Sequence, residues 1–266
     1  MKFYKNISFI CTSMFLFLLA FSIVWQVYGI SSIRVSFSQS TDASSTPADA
    51  SFEDAQEDTP ESIPEAKQKR VALTFDDGPH PTYTPKLLDG LAARNVKVTF
   101  FVLGESAKNH PEIIKRMYEE GHLIGNHTYS HVQLSCISED KAILEISNTN
   151  QVINEATGYI PKYIRPPYGS LPSSLKSETN LTPVLWTVDP RDWSVLNTNS
   201  VVNHILQCAE DGDIILLHDI FETSVDAALI VIDRLSEEGF EFVTVDKLLS
   251  PSDSVKDTDA SIPITN

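Results

Sequence analysis

The chain has 266 residues, 36 acidic against 20 basic, and a formal net charge of −16 at pH 7. A hydrophobic fraction of 42% with 15 prolines excludes a wholly disordered chain and fits a folded domain with irregular segments. So acidic a balance excludes nucleic acid as a partner and attachment to anionic lipid by charge alone, and three cysteines (Cys11, Cys136, Cys208) make neither a disulfide framework nor a zinc finger.

Lys2 and Lys5 precede an apolar run, Ile7 to Ile30, that holds no charged side chain. It is slightly longer than the roughly 20 residues that cross a bilayer as a helix. Residues 1–30 are therefore expected to be an uncleaved transmembrane signal-anchor. The N-terminus would be cytoplasmic and the rest outside the cell membrane, single-pass and extracytoplasmic. The alternative is a cleaved signal peptide and a secreted protein, for which Val27-Tyr28-Gly29 is a poor cleavage site. Residues 31–68 follow with eight acids between Val35 and Ala66 (Asp42, Asp49, Glu53, Asp54, Glu57, Asp58, Glu61, Glu65) and no base. That composition buries too little apolar surface to offset chain entropy, so a disordered tether is expected. Residues 251–266 are polar and aperiodic, a flexible tail.

Residues 69–250 alternate strand-like and helix-like patterns. Strands are expected at Val71–Phe75, Val96–Val102, Leu123–Gly125, Tyr163–Arg165, Val184–Val188, Asp213–Leu217 and Phe240–Val245. Helices are expected after Thr84-Pro85, carrying Leu87, Leu88 and Leu91, and from Pro111, carrying Ile113, Ile114 and Met117. A longer one runs from Ser138 to Gly158, and two more are capped by Ser200 and Ser224. Repeated β-then-α order predicts an α/β fold with a largely parallel sheet, open or closed into a barrel.

Five of these strands run into polar clusters: Asp76-Asp77-Gly78-Pro79, Asn126-His127-Thr128-Tyr129-Ser130-His131, Arg165-Pro166-Pro167-Tyr168-Gly169, Asp189-Pro190-Arg191-Asp192-Trp193 and His218-Asp219. Each alone reads as a turn, a cap or a solvated face. In parallel α/β architectures the carboxyl ends of the strands share one crevice, so the five together point to an active site. Two imidazoles and a carboxylate make a three-ligand site for Zn²⁺ or a similar ion, and Asp77, His127 and His131 suit it. Such an ion lets bound water ionise near neutrality. Asp76 is then free to take a proton and His218 to act as general acid, which is metal-assisted hydrolysis of an acyl bond.

Thr74-Phe75-Asp76-Asp77-Gly78, His127 to His131, Arg165 to Gly169, Asp189 to Trp193 and Leu216-Leu217-His218 resemble the five ordered motifs of the polysaccharide deacetylases, the NodB-homology or family 4 carbohydrate esterases. Val98 to Gly104 and Gly121 to Asn126 are similar too, and the resemblance covers about residues 70–250. It implies a distorted (β/α) barrel of about seven parallel strands, with its groove at their carboxyl ends. It implies metal at Asp77, His127 and His131, most often zinc, with Co²⁺, Ni²⁺ or Mn²⁺ as alternatives. Asp76 would be the base and His218 the acid, Arg165 would orient Asp76, and Asp192 would orient His218. The Tyr168 N–H would face the oxyanion, and Trp193 and Leu216 would wall the acetyl pocket.

The resulting expectation is a membrane-tethered, metal-dependent N-deacetylase with a monomeric catalytic domain at 69–250. Its substrate would be a glycan, N-acetylglucosamine of peptidoglycan or a chito-oligosaccharide. Two alternatives stay open: an O-acetyl esterase of the acetylxylan type, and a glycan-binding module without turnover.

Overall fold

The computed structural model describes residues 68–250. The expected anchor at 1–30, the expected tether at 31–68 except for its last residue Gln68, and the expected tail at 251–266 lie outside the described residues. Among the described residues no helix is long and apolar enough to cross a membrane.

The strands are β1 (Lys69–Asp76), β2 (Thr99–Val102), β3 (Leu123–Asn126), β4 (Tyr163–Ile164), β5 (Thr182–Pro183), β6 (Ile214–His218) and β7 (Phe240–Phe242). They form a parallel sheet in the order β5-β4-β3-β2-β1-β6, with β7 pairing to the first residues of β1. The helices between them are α1 (Tyr83–Arg94), α2 (Gly104–Asn109), α3 (Pro111–Glu119), α4 (Glu139–Thr157), α5 (Ser173–Thr179), α6 (Asp192–Val195), α7 (Thr198–Cys208), α8 (Glu222–Glu237) and α9 (Val245–Leu249).

The sheet curls until its ends meet. Thr182 and Pro183 pair with β4, and six residues on Val188 bridges to Ile215 of β6. Thr187 and Val188 donate to the Ile214 carbonyl, and Leu216 donates to that of Val188. One irregular segment, 182–188, therefore closes the expected distorted barrel. It is not the continuous strand that its apolar pattern predicts. The carbonyls of Val184 and Leu185 instead accept hydrogen bonds from the Arg165 guanidinium, at 3.3 and 3.2 Å, and are lost to a ladder.

Side-chain alternation on β1 sorts the interior. Val71, Leu73 and Phe75 face outward into the main core, against Leu87, Leu88 and Leu91 of α1 and Val225, Val231 and Leu235 of α8. Ala72 packs inside the barrel with Phe101, Val184, Ile214 and Val245. Thr74 and Asp76, on that same inner face by the period of two, continue toward the mouth. On β6, Ile215 and Leu217 join the outer core while Ile214 points inward, which puts Leu216 and His218 inside as well.

Some boundaries differ from the sequence pattern. β2 begins at Thr99 rather than Val96, and Val245 opens α9 instead of ending β7. The cap of α7 is Asn197, whose side chain accepts from the Ser200 amide at 2.9 Å, so Ser200 is the capped residue and not the cap. Ser224 is buried within α8, which begins at Glu222.

His122, just before β3, is buried edge-on against Phe100, and its Nδ1 accepts from the Val98 amide at 3.2 Å. Burial first, and the charge of Lys97 second, push its pKa down from 6.5 to about 4. The folded state thus holds His122 neutral while the unfolded chain protonates it, so stability is full above pH 6.5 and is lost as pH falls toward 4. The loss amounts to about 3 kcal/mol at about 1.4 kcal/mol per pH unit. His122→Asn keeps an acceptor for Val98 and removes the titration. Its urea midpoint is expected to fall less than that of the wild type between pH 7 and pH 4.5; equal slopes would refute the assignment.

Candidate active site

All the expected site residues converge on the barrel mouth. A cavity of about 370 Å³ there is lined by Asp76, Asp77, His127, His131, Pro166, Tyr168, Trp186, Asp189, Trp193, Leu216, His218 and Phe221. Arg165 and Asp192 lie behind it, both fully buried, in contact with Asp76 and His218 respectively.

Adjacent residues of a strand point to opposite faces, yet Asp76 and Asp77 both line the cavity. The backbone of Asp77 has φ 73°, the left-handed region, which turns its side chain back toward the mouth. The turn lies tight against the loop after β6. A Cβ added to Gly78 would stand 2.3 Å from a carboxylate oxygen of Asp219, so only glycine fits there. Asp219 is fully buried and accepts from the Thr84 hydroxyl, and burial pushes its pKa up to about 7.

Asp77 Oδ1 stands 3.4 Å from Nε2 of His127 and 3.4 Å from Nε2 of His131. One ligand atom from each of the three residues lies within 4.8 Å of the others. Two further observations fit a divalent metal ion. Asp77 Oδ1 is buried without a hydrogen-bond partner. His127 Nδ1 contacts the backbone carbonyl of Arg165 at 2.6 Å, which fixes the proton on Nδ1 and leaves the Nε2 lone pair facing the other two donors. The residues present fit the ion. Burial works to raise the Asp77 pKa, but His127, His131 and His218 outweigh it and lower it; burial lowers that of His131.

Asp76 Oδ1 accepts from Arg165 Nη1 at 2.8 Å, and the same Nη1 reaches the Thr74 hydroxyl at 2.7 Å. Thr74 in turn donates to the Ile215 carbonyl at 2.7 Å. The guanidinium stacks over Phe101 with its carbon 4.3 Å from the ring centroid. Burial lowers the Arg165 pKa and the Asp76 carboxylate opposes that shift. The fully buried guanidinium is compensated by a carboxylate, a hydroxyl and two carbonyls that accept its N–H hydrogen bonds.

His218 ends β6 in register with Asp76 of β1. Asp192 accepts from His218 twice, from the backbone amide at 2.8 Å and from Nδ1 at 2.9 Å, so Nε2 is the nitrogen left for chemistry. Burial favours the neutral ring, but the Asp192 hydrogen bond and charge, followed by the charges of Asp76 and Asp77, push the pKa up to about 9.

Tyr168 has φ 59° and is 69% exposed, with its ring 5.1 Å from that of His131. Trp193, also lining the cavity, is 53% exposed. Sequence reasoning missed Trp186, Asp189 and Phe221 as lining residues and Thr74 as a partner of Arg165. Asp189 and Thr74 lie inside quoted motifs, whereas Trp186 and Phe221 carry no local signal.

A family model described as polysaccharide deacetylase matches residues 64–184. The chain is 44% identical over 189 residues to a peptidoglycan-N-acetylglucosamine deacetylase of Bacillus cereus, covering 68% of this chain and 69% of that protein. It is 42% identical over 181 residues to the peptidoglycan-N-acetylmuramic acid deacetylase PdaC of Bacillus subtilis, which is 68% of this chain and 39% of PdaC. The chain thus spans about two fifths of the length of PdaC. The solved structure of PdaC superposes with a TM-score of 0.67 at 42% identity, over 68% of this chain and 90% of that one. Matched in sequence over the barrel and in fold to these enzymes, the chain belongs to the polysaccharide deacetylase family.

Proposed function

We propose that the 69–250 domain is a metal-dependent N-deacetylase that releases acetate from N-acetylglucosamine of peptidoglycan. The observation that carries this reading is one cavity holding a three-donor group, Asp77, His127 and His131, between a carboxylate backed by Arg165 and an imidazole backed by Asp192. The B. cereus relative, two thirds of which the chain covers, supports the choice of sugar by its name.

A divalent ion held by Asp77, His127 and His131, zinc by preference for two imidazoles and a carboxylate, would supply Lewis acidity for hydrolysis. Asp76, oriented by the hydrogen bond it accepts from Arg165, takes the proton of the attacking water. The acetyl methyl lies between Trp193 and Leu216, and the backbone N–H of Tyr168 faces the carbonyl oxygen as charge develops on it. His218 Nε2 gives a proton to the departing amine, without which an amide resists cleavage.

The test is acetate release by the full-length protein, loaded with Zn²⁺, from N-acetylated chito-oligosaccharide and from peptidoglycan, with acetylxylan as the esterase control. No acetate from either N-acetylated glycan would sink the proposal, and faster turnover of acetylxylan would replace it with the esterase. The same proposal places a monomeric domain outside the cell, tethered through residues 1–30. Its support is the charge-free run after Lys2 and Lys5, and recovery in the soluble rather than the membrane fraction would refute the tether.

His218 works as an acid only while protonated, so the rate falls as pH rises through its pKa. Asp192→Asn removes the charge that raises that pKa. The alkaline limb of the pH–kcat profile is therefore expected to move down by about 1–3 pH units, with kcat lower at every pH. An unmoved limb would remove His218 from the acid role.

A further inference from the structure

The two histidines of the metal group belong to one loop, 127–131, whose conformation is costly. Thr128 has φ 67° and His131 φ 59°, left-handed conformations that cost a side-chain-bearing residue about 1–3 kcal/mol each. Something outside the loop must over-determine it. Its backbone is held from outside at several points. The His127 amide donates to the Val102 carbonyl, and the Thr128 amide to the Asn126 side chain at 2.8 Å. The Thr128 and Tyr129 carbonyls accept from the Gly104 and Glu105 amides, each at 3.0 Å. Two further amides, of Tyr129 and Ser130, both donate to one atom, Oε2 of Glu145, at 2.9 and 2.8 Å. The other oxygen of that carboxylate accepts from the Ser130 hydroxyl at 2.9 Å. Glu145 sits on α4, fifteen residues along the chain, and is itself partly buried.

We propose that Glu145 is a positioning residue for the metal centre. By holding the two peptide units midway between His127 and His131, its carboxylate sets the distance between the two imidazole donors. The proposal rests on the reading of Asp77, His127 and His131 as metal ligands and adds the residue that fixes the span of the histidine pair. Gly104 shows how close the loop is held from its other side: a Cβ there would stand 2.5 Å from the Tyr129 ring, so the loop has no room to relax toward α2. Without Glu145 the two amides turn to water, and the strained residues relax.

The experiment is a Zn²⁺ titration of the full-length apoprotein against a competing chelator, with the visible spectrum of the Co²⁺-loaded form as a second readout. Glu145→Ala is expected to weaken Zn²⁺ binding by about 10–100-fold, the usual cost of losing a partner that orients a ligand, and to change the Co²⁺ spectrum. Glu145→Gln still offers one oxygen to both amides and is expected to recover most of that loss. Glu155→Ala, on the same helix but bonded to Gln151, should bind as the wild type does. A merely structural role would lower the melting temperature and leave the affinity and spectrum of the folded protein alone, and that result overturns the proposal. Should Glu145→Ala fail to fold, Glu145→Asp decides: weaker binding supports the proposal and unchanged binding overturns it. A wild type that binds no Zn²⁺ overturns the metal centre itself, which the chelator titration shows before any variant is compared.

Discussion

Replacing Asp76 with asparagine is expected to lower kcat for acetate release by about 10²–10⁴-fold, the range a positioned general base contributes. Zn²⁺ affinity should be nearly unchanged, because the metal group is formed by Asp77, His127 and His131. The amide keeps an oxygen for Arg165 Nη1 and loses the charge. Stability should therefore drop, by less than the roughly 3–5 kcal/mol that removing one partner of a buried pair costs. Measuring kcat, metal content and the urea midpoint on one preparation separates the three effects. A variant that keeps the wild-type rate would show that Asp76 is no base and would leave its bond to Arg165 as its only role.

The second large effect falls on Arg165 itself. Arg165→Met leaves the Asp76 carboxylate in the barrel without its counter-charge, and breaking a buried pair from one side costs about 3–5 kcal/mol. The Val184 and Leu185 carbonyls lose their donors in the same substitution, on the segment that closes the barrel. A domain of ordinary stability, about 5–15 kcal/mol, would be left marginal. The expected result is a collapse of the urea midpoint and of near-ultraviolet ellipticity, with no measurable acetate release. Adding Asp76→Leu to Arg165→Met removes the orphaned charge, and part of the stability should return while activity does not. Wild-type stability in Arg165→Met alone would mean that the pair contributes nothing to the fold.

What could be read from the sequence was the local chemistry. Leu87, Leu88 and Leu91, and Ile113, Ile114 and Met117, mark buried helix faces by spacing alone, and all are in the core. The convergence of the ten expected site residues on one mouth was legible because nearly all lie at or just after the end of an expected strand whose direction the β-then-α order already sets. Contacts between distant residues were not legible. Val184 to Val188 looks like a strand in every local respect, and nothing in it announces that a guanidinium twenty residues earlier takes its carbonyls. Glu145 looks like a solvated acid on an amphipathic helix, since its partners are backbone amides, which carry no residue signature. At α7 the error was one of competition: Asn197 and Ser200 both suit an N-cap, and only the extended backbone of Asn197 decides between them.

Arg165 has one further consequence, and it concerns motion. Its main-chain carbonyl holds Nδ1 of His127 and its side chain holds Oδ1 of Asp76, so one residue grips both a proposed metal ligand and the proposed base. A shift of β4 against its neighbours would therefore pull on both side chains together. A support shared in this way would hold the separation of the two groups more nearly constant than two independent supports would. A misplacement of about 1 Å between reacting groups can cost about 10²-fold in rate, so a shared grip of this kind matters most where the two groups must act together.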